Sequence, residues 1–277
     1  MKRDPLVYII MRNHNSCKFT KESIESLQKM QYPNFKILVV DDGSTDDSYL
    51  KLHYTFPNVE FILTHKYLEY CKSLNQGIRY ALNYNASFVF LVNNDTKDFS
   101  KDYLDKVLQA FNKDKNIGMV GTVCHDYDGK VRHDCKRVKI RFGHHMPVPT
   151  EGYVISRETI ETVGYLDEQL VRYFEDVDYI IRMKEKGFKI VCLPDVSFKH
   201  YGGGTSSSQH YIRNFYRVRN MVWFIKRYSS KTFSGKLLLF LSAFRLHFYR
   251  MFSRHFIIVS YANIKGMVHG VLVEWKK

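Results

Sequence analysis

Two short apolar runs, each followed directly by a polar cluster, constrain the fold of this chain more than any other feature. Residues 37–40 lead into Asp41 and Asp42, and residues 88–92 lead into a cluster that ends at Asp95. An apolar run without alternation is typical of a strand covered on both faces. Ligands of open α/β sheets bind at the carboxyl ends of the strands. Both clusters are therefore expected to line one crevice.

A plain turn is the alternative explanation for the first cluster, because Asp, Gly and Ser are common turn residues. That alternative leaves two further observations without an explanation. The second strand also ends in a polar cluster, at residues 93–95, and a third acidic group follows at residues 175–178. Three such groups in one chain favour a shared binding site.

The order of strands and helices predicts an open α/β sheet with parallel crossovers. In the first third of the chain we expect strands at 6–11, 37–40, 59–63 and 88–92, and helices near 21–31 (with Thr20 as its N-cap), 46–54 and 70–84. Further along we expect strands at 117–124, 138–142, 153–155 and 189–193. We also expect a helix at 157–163 and another that follows the acidic cluster at 175–178 and ends at Lys186. From residue 211 onward the pattern is helical, with helices at 211–227 and 236–254.

Composition limits the class of protein. The chain has 277 residues, of which 45% are hydrophobic, enough for one large domain with a real core. Charged residues at 25% and aromatic residues at 15% exclude a disordered chain, a collagen and a coiled coil. Lys265 and His269 interrupt the longest apolar stretch, residues 256–273, so no membrane-spanning segment is expected.

The positive charge lies almost entirely in the last quarter of the chain. The net charge is +14, yet residues 201–277 contain 13 basic side chains and one acidic side chain. Lys236, His247, Arg250 and Arg254 gather away from the apolar stripe of the helix predicted at 236–254. Such a helix binds an anionic membrane surface. Alternatively, the stripes pack on the α/β domain or on a second subunit, giving a homo-oligomer. No nucleic-acid reader motif occurs, so no nucleic-acid partner is expected.

The five cysteines are scattered and contain no CxxC pair. That pattern argues against a disulfide framework or a zinc site and favours a reducing, cytoplasmic location. Together with the basic tail, it predicts a peripheral protein on the inner face of the cell membrane.

The motifs of this chain resemble those of glycosyltransferase family 2, closest to the rhamnosyltransferase-like members that build cell-surface polysaccharides. The matching motifs, in order, are HN (14–15), VVDDGSTD (39–46), NQG (75–77), NND (93–95), FEDVDY (174–179) and FKHYGGGTS (198–206). The resemblance covers about residues 6–206. It implies the GT-A fold, a nucleotide-diphosphate-sugar donor, a divalent cation and inversion at the anomeric carbon.

The resemblance assigns the donor nucleotide site. Asp42 matches the aspartate that hydrogen-bonds the pyrimidine base, since a carboxylate accepts from the ring N–H. Asp41 either lines the same pocket or orients the turn. Asn15 is expected at the edge of the pocket, and Asn75 and Asn94 are expected near it.

The resemblance also assigns a metal site. Asp95 matches the last position of the metal-binding DXD motif, whose first position is an amide here, Asn93. One carboxylate with diphosphate oxygens and waters suits Mg²⁺ or Mn²⁺. His200 matches the histidine that completes the coordination in several relatives, and an imidazole ligand favours Mn²⁺. A lone histidine is otherwise most often structural.

Asp176 is the expected catalytic base, which takes the proton of the acceptor hydroxyl. The acidic cluster at residues 175–178 also suits the first turn of a helix, where it interacts favourably with the helix dipole. Asp178 or Glu175 is expected to orient a neighbour, for example Arg182.

Two segments that follow the predicted strands each allow two interpretations. The glycines of residues 202–206 suit a loop that closes over the donor, or a plain linker. Arg219 resembles a basic residue that follows this loop in the family. It either reaches the donor diphosphate or caps a helix.

The sequence therefore predicts a GT-A catalytic domain over 1–206, with a donor half at about 1–96, an acceptor half at about 97–206 and a basic extension over 207–277. The expected activity is inverting sugar transfer from a UDP- or dTDP-sugar to a glycan or lipid-linked acceptor. A degenerate GT-A protein that binds glycans or partners is the alternative. A nucleotidyltransferase is disfavoured because its GxGxR segment is missing.

Overall fold

A computed structural model describes residues 4–135, 139–141, 144–146, 151–202, 210–228, 241 and 256–276. The chain divides into two compact units. Unit 1 comprises Met1–Leu166 and Tyr179–Thr205, and unit 2 comprises Asp167–Asp178 and Ser206–Lys277. The short segment Asp167–Asp178 thus groups with the C-terminal part of the chain.

The described residues contain eleven strands and eight helices. The strands are β1 (Val7–Asn13), β2 (Phe35–Asp41), β3 (Glu60–Leu63), β4 (Phe88–Val92), β5 (Thr96–Lys97), β6 (Ile117–Asp126), β7 (Val131–His133), β8 (Lys139–Arg141), β9 (His144–Met146), β10 (Gly152–Ser156) and β11 (Lys189–His200). The helices are α1 (Cys17–Leu27), α2 (Ser48–Thr55), α3 (Tyr70–Asn83), α4 (Tyr103–Lys113), α5 (Arg157–Val163), α6 (Glu175–Glu185), α7 (His210–Tyr228) and α8 (Phe256–Leu272).

Unit 1 is built on one mixed sheet with the strand order β3-β2-β1-β4-β10-β6-β11-β5, and β7 pairs with β6. The first four strands of this order are parallel, whereas β10 runs antiparallel to both β4 and β6. A second, two-stranded sheet pairs β8 with β9. Because β1 lies between β2 and β4, the carboxyl ends of all three meet at one edge of the sheet.

The central strands are apolar because helices cover both of their faces. Every described residue from Val7 to Met11 is fully buried. Helix α3 approaches the sheet closely at Gly77, where an added Cβ would lie 2.6 Å from Cγ2 of Ile10. A glycine at this position therefore sets the distance between helix and sheet.

Several predicted boundaries were wrong. Helix α1 begins at Cys17, and Thr20, expected as its N-cap, is buried inside the helix and donates to Oδ1 of Asn13 at 2.7 Å. Strand β11 does not stop at Leu193; it continues past a register shift to His200, because the strand resumes its pairing with β6 at Ser197. Helix α4 was not predicted at all.

The expectation of unpaired cysteines was also wrong for one pair. Cys135 and Cys192 form a disulfide, with their Cα atoms 5.3 Å apart and a sequence separation of 57. The other three cysteines, Cys17, Cys71 and Cys124, are free. Strand β6 pairs with both β7 and β11 and so brings Cys135 near Cys192, which sequence spacing alone does not reveal.

In unit 2, helices α7 and α8 pack closely together. An added Cβ at Gly266 would lie 2.5 Å from the carbonyl oxygen of Phe215, and one at Gly270 would lie 2.8 Å from Cβ of Val222. Helix α7 agrees with the predicted helix at 211–227. Apart from Leu241, which is helical, the helix predicted at 236–254, with Lys236, His247, Arg250 and Arg254, lies outside the described residues, as do residues 203–206 of the glycine segment. Within the part of the chain that is described, no helix has the length and apolar character needed to cross a membrane.

Candidate functional site

The Asp41 carboxylate is buried and fixes the turn that follows β2. Its Oδ1 accepts from the Ser44 N–H at 3.1 Å, and its Oδ2 accepts from Nδ2 of Asn13 at 2.7 Å and from the Ser44 hydroxyl at 2.8 Å. Gly43 adopts a φ of 61° in this turn. These contacts hold the turn, and a contact between Asp41 and a nucleotide stays a prediction.

A chain of hydrogen bonds joins the two polar clusters at the edge of the sheet. Asn94 donates through Nδ2 to the Thr20 hydroxyl at 2.8 Å, and Thr20 donates to Oδ1 of Asn13 at 2.7 Å. Asn13 in turn donates to Asp41. The two clusters therefore share one edge of unit 1, as the strand pattern predicts.

The Asp42 carboxylate is fully buried and paired with Arg12. Nε of Arg12 donates to Oδ2 at 2.7 Å, and Nη2 lies 2.7 Å from the same oxygen. Oδ1 accepts from the Leu68 N–H at 2.6 Å. Nδ1 of His14 lies 2.8 Å from the Asp42 carbonyl oxygen. The carboxylate expected to bind the base is thus held by the partly buried Arg12 and by the Leu68 backbone.

Two aromatic rings lie next to groups that contact Asp42. The centroids of His14 and Tyr67 lie 4.6 Å apart, and the Arg12 guanidinium lies 5.1 Å from the Tyr67 centroid. Asn15, with a φ of 49°, accepts from the Thr45 N–H at 2.8 Å and donates to the Thr45 hydroxyl at 3.1 Å. Asn15 therefore ties the end of β1 to the turn after β2.

Asp95 and His200 lie together although 105 residues separate them in sequence. Nε2 of His200 is 2.9 Å from Oδ1 of Asp95, and each residue is less than one-tenth exposed. Strand β11 pairs antiparallel with β5 and places His200 opposite Thr96, the residue after Asp95. Nδ1 of His200 is buried and has no hydrogen-bond partner among the described residues.

The two asparagines of the 93–95 motif are held by protein contacts. Oδ1 of Asn93 accepts from the Tyr70 hydroxyl at 3.2 Å, and its Nδ2 lies 3.4 Å from Nε2 of His200. The Tyr127 hydroxyl approaches the Asp95 carbonyl oxygen at 3.5 Å. Burial raises the pKa of Tyr127, and the charges of Glu22 and Asp95 raise it further, so this phenol stays neutral at physiological pH.

The pair of Asp95 and His200 fits a divalent cation as two of its ligands. A buried carboxylate and an imidazole nitrogen already face each other, and both are ligand types that Mn²⁺ accepts. The described residues hold no group of three or more His, Cys, Asp or Glu side chains suited to a metal. A cation here would therefore complete its coordination with oxygens of a ligand or of water.

Asn75 has a different position from the other expected nucleotide contacts. It is fully buried on α3, donates through Nδ2 to the Leu166 carbonyl at 2.9 Å and accepts the Leu166 N–H at 3.1 Å. These bonds fasten helix α3 to the chain after α5. A contact between Asn75 and a nucleotide stays a prediction.

The acidic cluster lies at the start of α6, in unit 2. Asp176 is 7% exposed, and its Oδ1 accepts its neighbour's N–H, that of Val177, at 2.8 Å. Asp178 is fully buried and accepts the Tyr228 hydroxyl at 2.8 Å, with Arg227 at 3.9 Å. Glu175 is the first residue of the helix, in the dipole-favoured position that the sequence indicated.

Two arginines make contacts that the sequence did not indicate. In unit 1, Arg182 donates to the carbonyls of Val163 and Tyr165 at 2.9 and 3.0 Å. In unit 2, Arg219 is buried, and its Nη2 donates to the Gln169 carbonyl at 2.7 Å. A contact between Arg219 and a diphosphate stays a prediction.

Sequence reasoning missed Arg12 and Tyr127. The signal for Arg12 was a charged residue one position before the end of a buried strand, where only a buried acidic partner allows it. Tyr127 lies in the turn after β6, and no local pattern connects it with Asp95.

Comparison with known proteins identifies the family of this chain. The family model described as glycosyl transferase family 2 matches residues 8–178. The chain is 25% identical over 256 residues to the uncharacterized protein y4gI of Sinorhizobium fredii, covering 82% of this chain and 28% of that protein. It is 24% identical over 178 residues to the dTDP-rhamnosyl transferase RfbF of Shigella flexneri, covering 56% of this chain and 59% of that protein. The chain thus spans less than two thirds of the length of both relatives.

A solved structure shares the fold. The mannosyltransferase PcManGT from Pyrobaculum calidifontis, in complex with GDP-Man and Mn²⁺, superposes with a TM-score of 0.61 at 15% identity, covering 98% of this chain and 88% of that chain. The mixed sheet with polar clusters at one edge therefore defines a GT-A fold. Since the family model covers more than half of the sequence, the chain belongs to glycosyltransferase family 2.

Proposed function

We propose that this family member is an inverting glycosyltransferase of cell-surface polysaccharide synthesis. It would move a sugar from a UDP- or dTDP-sugar to a hydroxyl of a glycan or lipid-linked glycan. The pairing of Asp95 with His200 beside the other polar cluster carries the proposal, because it offers a cation site at the ligand-binding edge of the sheet. The name of the relative RfbF, a dTDP-rhamnosyl transferase, supports a nucleotide-linked deoxysugar.

The Asp42 carboxylate is the proposed reader of the donor base. Uracil and thymine each present one ring N–H between two carbonyl oxygens. The Oδ1 atom of Asp42 accepts one bond, from Leu68, and has a second lone pair for the ring N–H. Arg12 lies beside it and could donate to a carbonyl of the base. His14 and Tyr67 provide rings on which a base can stack.

Asp95 and His200 are the proposed metal ligands, with Mn²⁺ or Mg²⁺ as the cation. A bound cation of this kind neutralises the negative charge that develops on the departing diphosphate. The imidazole of His200 favours Mn²⁺ over Mg²⁺. The Tyr127 phenol, whose pKa is raised by burial, is neutral at physiological pH and adds no negative charge beside the proposed cation.

Asp176 is the proposed general base. The acceptor oxygen forms a bond to C1 of the sugar while the bond between C1 and the diphosphate oxygen breaks on the opposite face. The acceptor proton passes to the Asp176 carboxylate, and the nucleoside diphosphate leaves with the bonding electrons. Attack from the face opposite the leaving group inverts the anomeric configuration.

A catalytically degenerate glycan-binding protein is the second candidate. The observation in its favour is Asn93, an amide where the motif has a carboxylate, whose Oδ1 already accepts from Tyr70. Such a protein would bind a nucleotide or a glycan without transferring sugar.

The C-terminal region is the proposed contact with an anionic membrane surface. In addition to its basic residues, unit 2 exposes apolar side chains along one side of α8. About half of the side-chain surface is exposed at Tyr261, Ile264, Val268 and Val271, which recur at three or four residues. Apolar side chains flanked by basic ones bind anionic lipid.

Vesicle sedimentation tests this membrane proposal. Binding should rise with the anionic lipid fraction and weaken with salt. Changing Ile264 and Val268 to Glu, or Arg245, Arg250 and Arg254 to Glu, should release the protein from vesicles. The proposal fails if neither set changes vesicle binding. If the changes instead dissociate a homo-oligomer, the surface is a subunit interface. The disulfide of Cys135 and Cys192 removes the cysteine argument for a reducing compartment, and the cytoplasmic location stays a prediction.

A donor panel tests the proposed activity. Purified protein is incubated with UDP-, dTDP- and GDP-sugars, a lipid-linked glycan fraction and Mn²⁺, and nucleoside diphosphate and glycoside are both measured. We expect equal amounts of the two products from a UDP- or dTDP-sugar, and none after EDTA. Nucleotide binding without any glycoside would favour the degenerate alternative, and release of pyrophosphate would indicate a nucleotidyltransferase.

A further inference from the structure

The segment before the acidic cluster of unit 2 has an unusual backbone. Val171, Tyr173 and Phe174 have φ values of 66°, 66° and 73°. Side chains other than glycine rarely adopt this region, and a β-branched residue such as valine is a clear outlier there. Strained backbone persists only when its surroundings hold it, and it concentrates at functional sites. The strained residues end directly before Glu175 and Asp176.

One side chain of α7 holds this segment. Asn220 is fully buried, and its Nδ2 lies 2.7 Å from the Leu170 carbonyl oxygen, 2.8 Å from that of Arg172 and 2.8 Å from that of Tyr173. An amide NH₂ has two hydrogens, so three carbonyls share them. All of these oxygens belong to the strained turn. Three carbonyl oxygens of the turn therefore accept hydrogen bonds from a single donor group.

Arg219 fixes the orientation of that group. Its Nε donates to Oδ1 of Asn220 at 2.8 Å, which directs the NH₂ of Asn220 toward the carbonyls. Its Nη2 donates to the carbonyls of Gln169 and Leu170 at 2.7 and 3.2 Å. One turn and two turns further along α7, Phe224 contacts Phe174 at 5.6 Å between centroids, and the Tyr228 hydroxyl donates to Asp178.

We propose that Asn220 is a positioning residue for the catalytic base. Its carboxamide holds the strained turn 170–174 in the one conformation that sets Asp176 at the start of α6. This inference rests on the proposed role of Asp176. Helix α7 belongs to the extension that begins at residue 207. The proposal therefore gives this extension a part in catalysis in addition to its proposed contact with the membrane. A carboxylate of the same shape would face three carbonyl oxygens and repel them, so only an amide suits the position.

Asn220→Asp tests the proposal with little change in shape. We expect kcat to fall by about tenfold to a hundredfold, while KM for donor and acceptor changes less than about twofold, because the base is displaced and binding is kept. Hydrogen exchange should be faster at the amides of 171–174 and unchanged in α8. A general structural defect would accelerate exchange in α8 as well.

Asn263→Asp is the matched control. Asn263 is buried on α8 of the same unit, and its carboxamide has no hydrogen-bond partner in the described structure. The same substitution there should lower the melting temperature and leave kcat and the exchange of 171–174 near wild type. Should Asn220→Asp behave like Asn263→Asp, Asn220 is a packing residue and the inference is overturned.

Asp176→Asn, measured in parallel, distinguishes the proposed base role of Asp176 from the proposed positioning role of Asn220. If Asp176→Asn abolishes transfer while Asn220→Asp transfers normally, the base stands and the positioning role fails. If Asp176→Asn transfers at the wild-type rate, the proposed base fails, and the positioning role fails with it. If wild-type protein transfers no sugar from any donor, the proposed function fails. Hydrogen exchange still tests whether Asn220 holds the turn: unchanged exchange of the amides of 171–174 in Asn220→Asp would refute that role without any activity measurement.

Discussion

Nε2 of His200 lies 2.9 Å from Oδ1 of Asp95, and this contact joins the end of β11 to the residue that precedes β5. Both groups are buried, and the pair is the proposed metal site. Asp95→Ala and His200→Ala should each weaken Mn²⁺-dependent binding of nucleoside diphosphate in calorimetry. We expect about a hundredfold for Asp95→Ala and about tenfold for His200→Ala, since Asp95 is the only carboxylate of its motif.

His53→Ala is the control for these variants, because His53 is an exposed histidine on α2 of the same unit. It should bind nucleoside diphosphate as the wild type does. Equal binding by the wild type with Mn²⁺ and with EDTA would refute the metal site.

The ion pair of Arg12 and Asp42 should support the fold as well as the nucleotide pocket. Arg12→Met leaves the fully buried Asp42 carboxylate without its cation, which should lower the free energy of unfolding by about 3 kcal/mol in urea. Asp42→Asn in the Arg12→Met background should recover part of this loss, because it removes the unpaired charge. Lys36→Met is the control, since its ion pair with Glu60 is partly exposed and should contribute less than about 1 kcal/mol. A loss no larger than the control's would contradict the buried pair.

Asp176→Asn keeps the size of the side chain but cannot accept a proton. Turnover should fall by at least about a hundredfold, while calorimetry should give an unchanged donor affinity. Glu158→Gln is the control, because Glu158 lies on the exposed side of α5. Near-normal turnover in Asp176→Asn would exclude Asp176 as the base and direct attention to Glu175 and Asp178.

The disulfide of Cys135 and Cys192 predicts a thiol count. Denatured, unreduced protein should titrate three thiols, those of Cys17, Cys71 and Cys124, and reduced protein should titrate five. Closing a loop of this length stabilises a protein by about 4 kcal/mol in the chain-entropy model, so reduction should lower the free energy of unfolding by a similar amount. Five thiols before reduction would show that the bond does not form.

The sheet was predictable from sequence because its strands are short, apolar and separated by clear turns. Strand β4 and helix α5 have the predicted boundaries. The meeting of Asp41 with the 93–95 cluster was also predictable, since both follow parallel strands. Helix α4 was missed although Leu104, Val107 and Phe111 follow the helical period. The sequence therefore contained the signal for this helix.

The long-range pairings were not predictable from local patterns. The partners of Asp42 and Asp178 are Arg12 and Tyr228, which lie 30 and 50 residues away in sequence. Such contacts depend on the order of strands and on helix packing, which a single sequence encodes only weakly. For the same reason, the link between Asn220 and the turn 170–174 was not predictable. The positive φ angles of this turn also occur at residues that do not favour them.

The anomeric configuration of the product tests the central claim most directly. Proton NMR can follow the anomeric proton, on C1, of an α-linked UDP- or dTDP-sugar while the wild-type protein acts on a glycan acceptor with Mn²⁺. We expect a β-linked glycoside, formed in step with one nucleoside diphosphate per sugar. An α-linked product, or consumption of the donor without any glycoside, would contradict inverting sugar transfer by this protein.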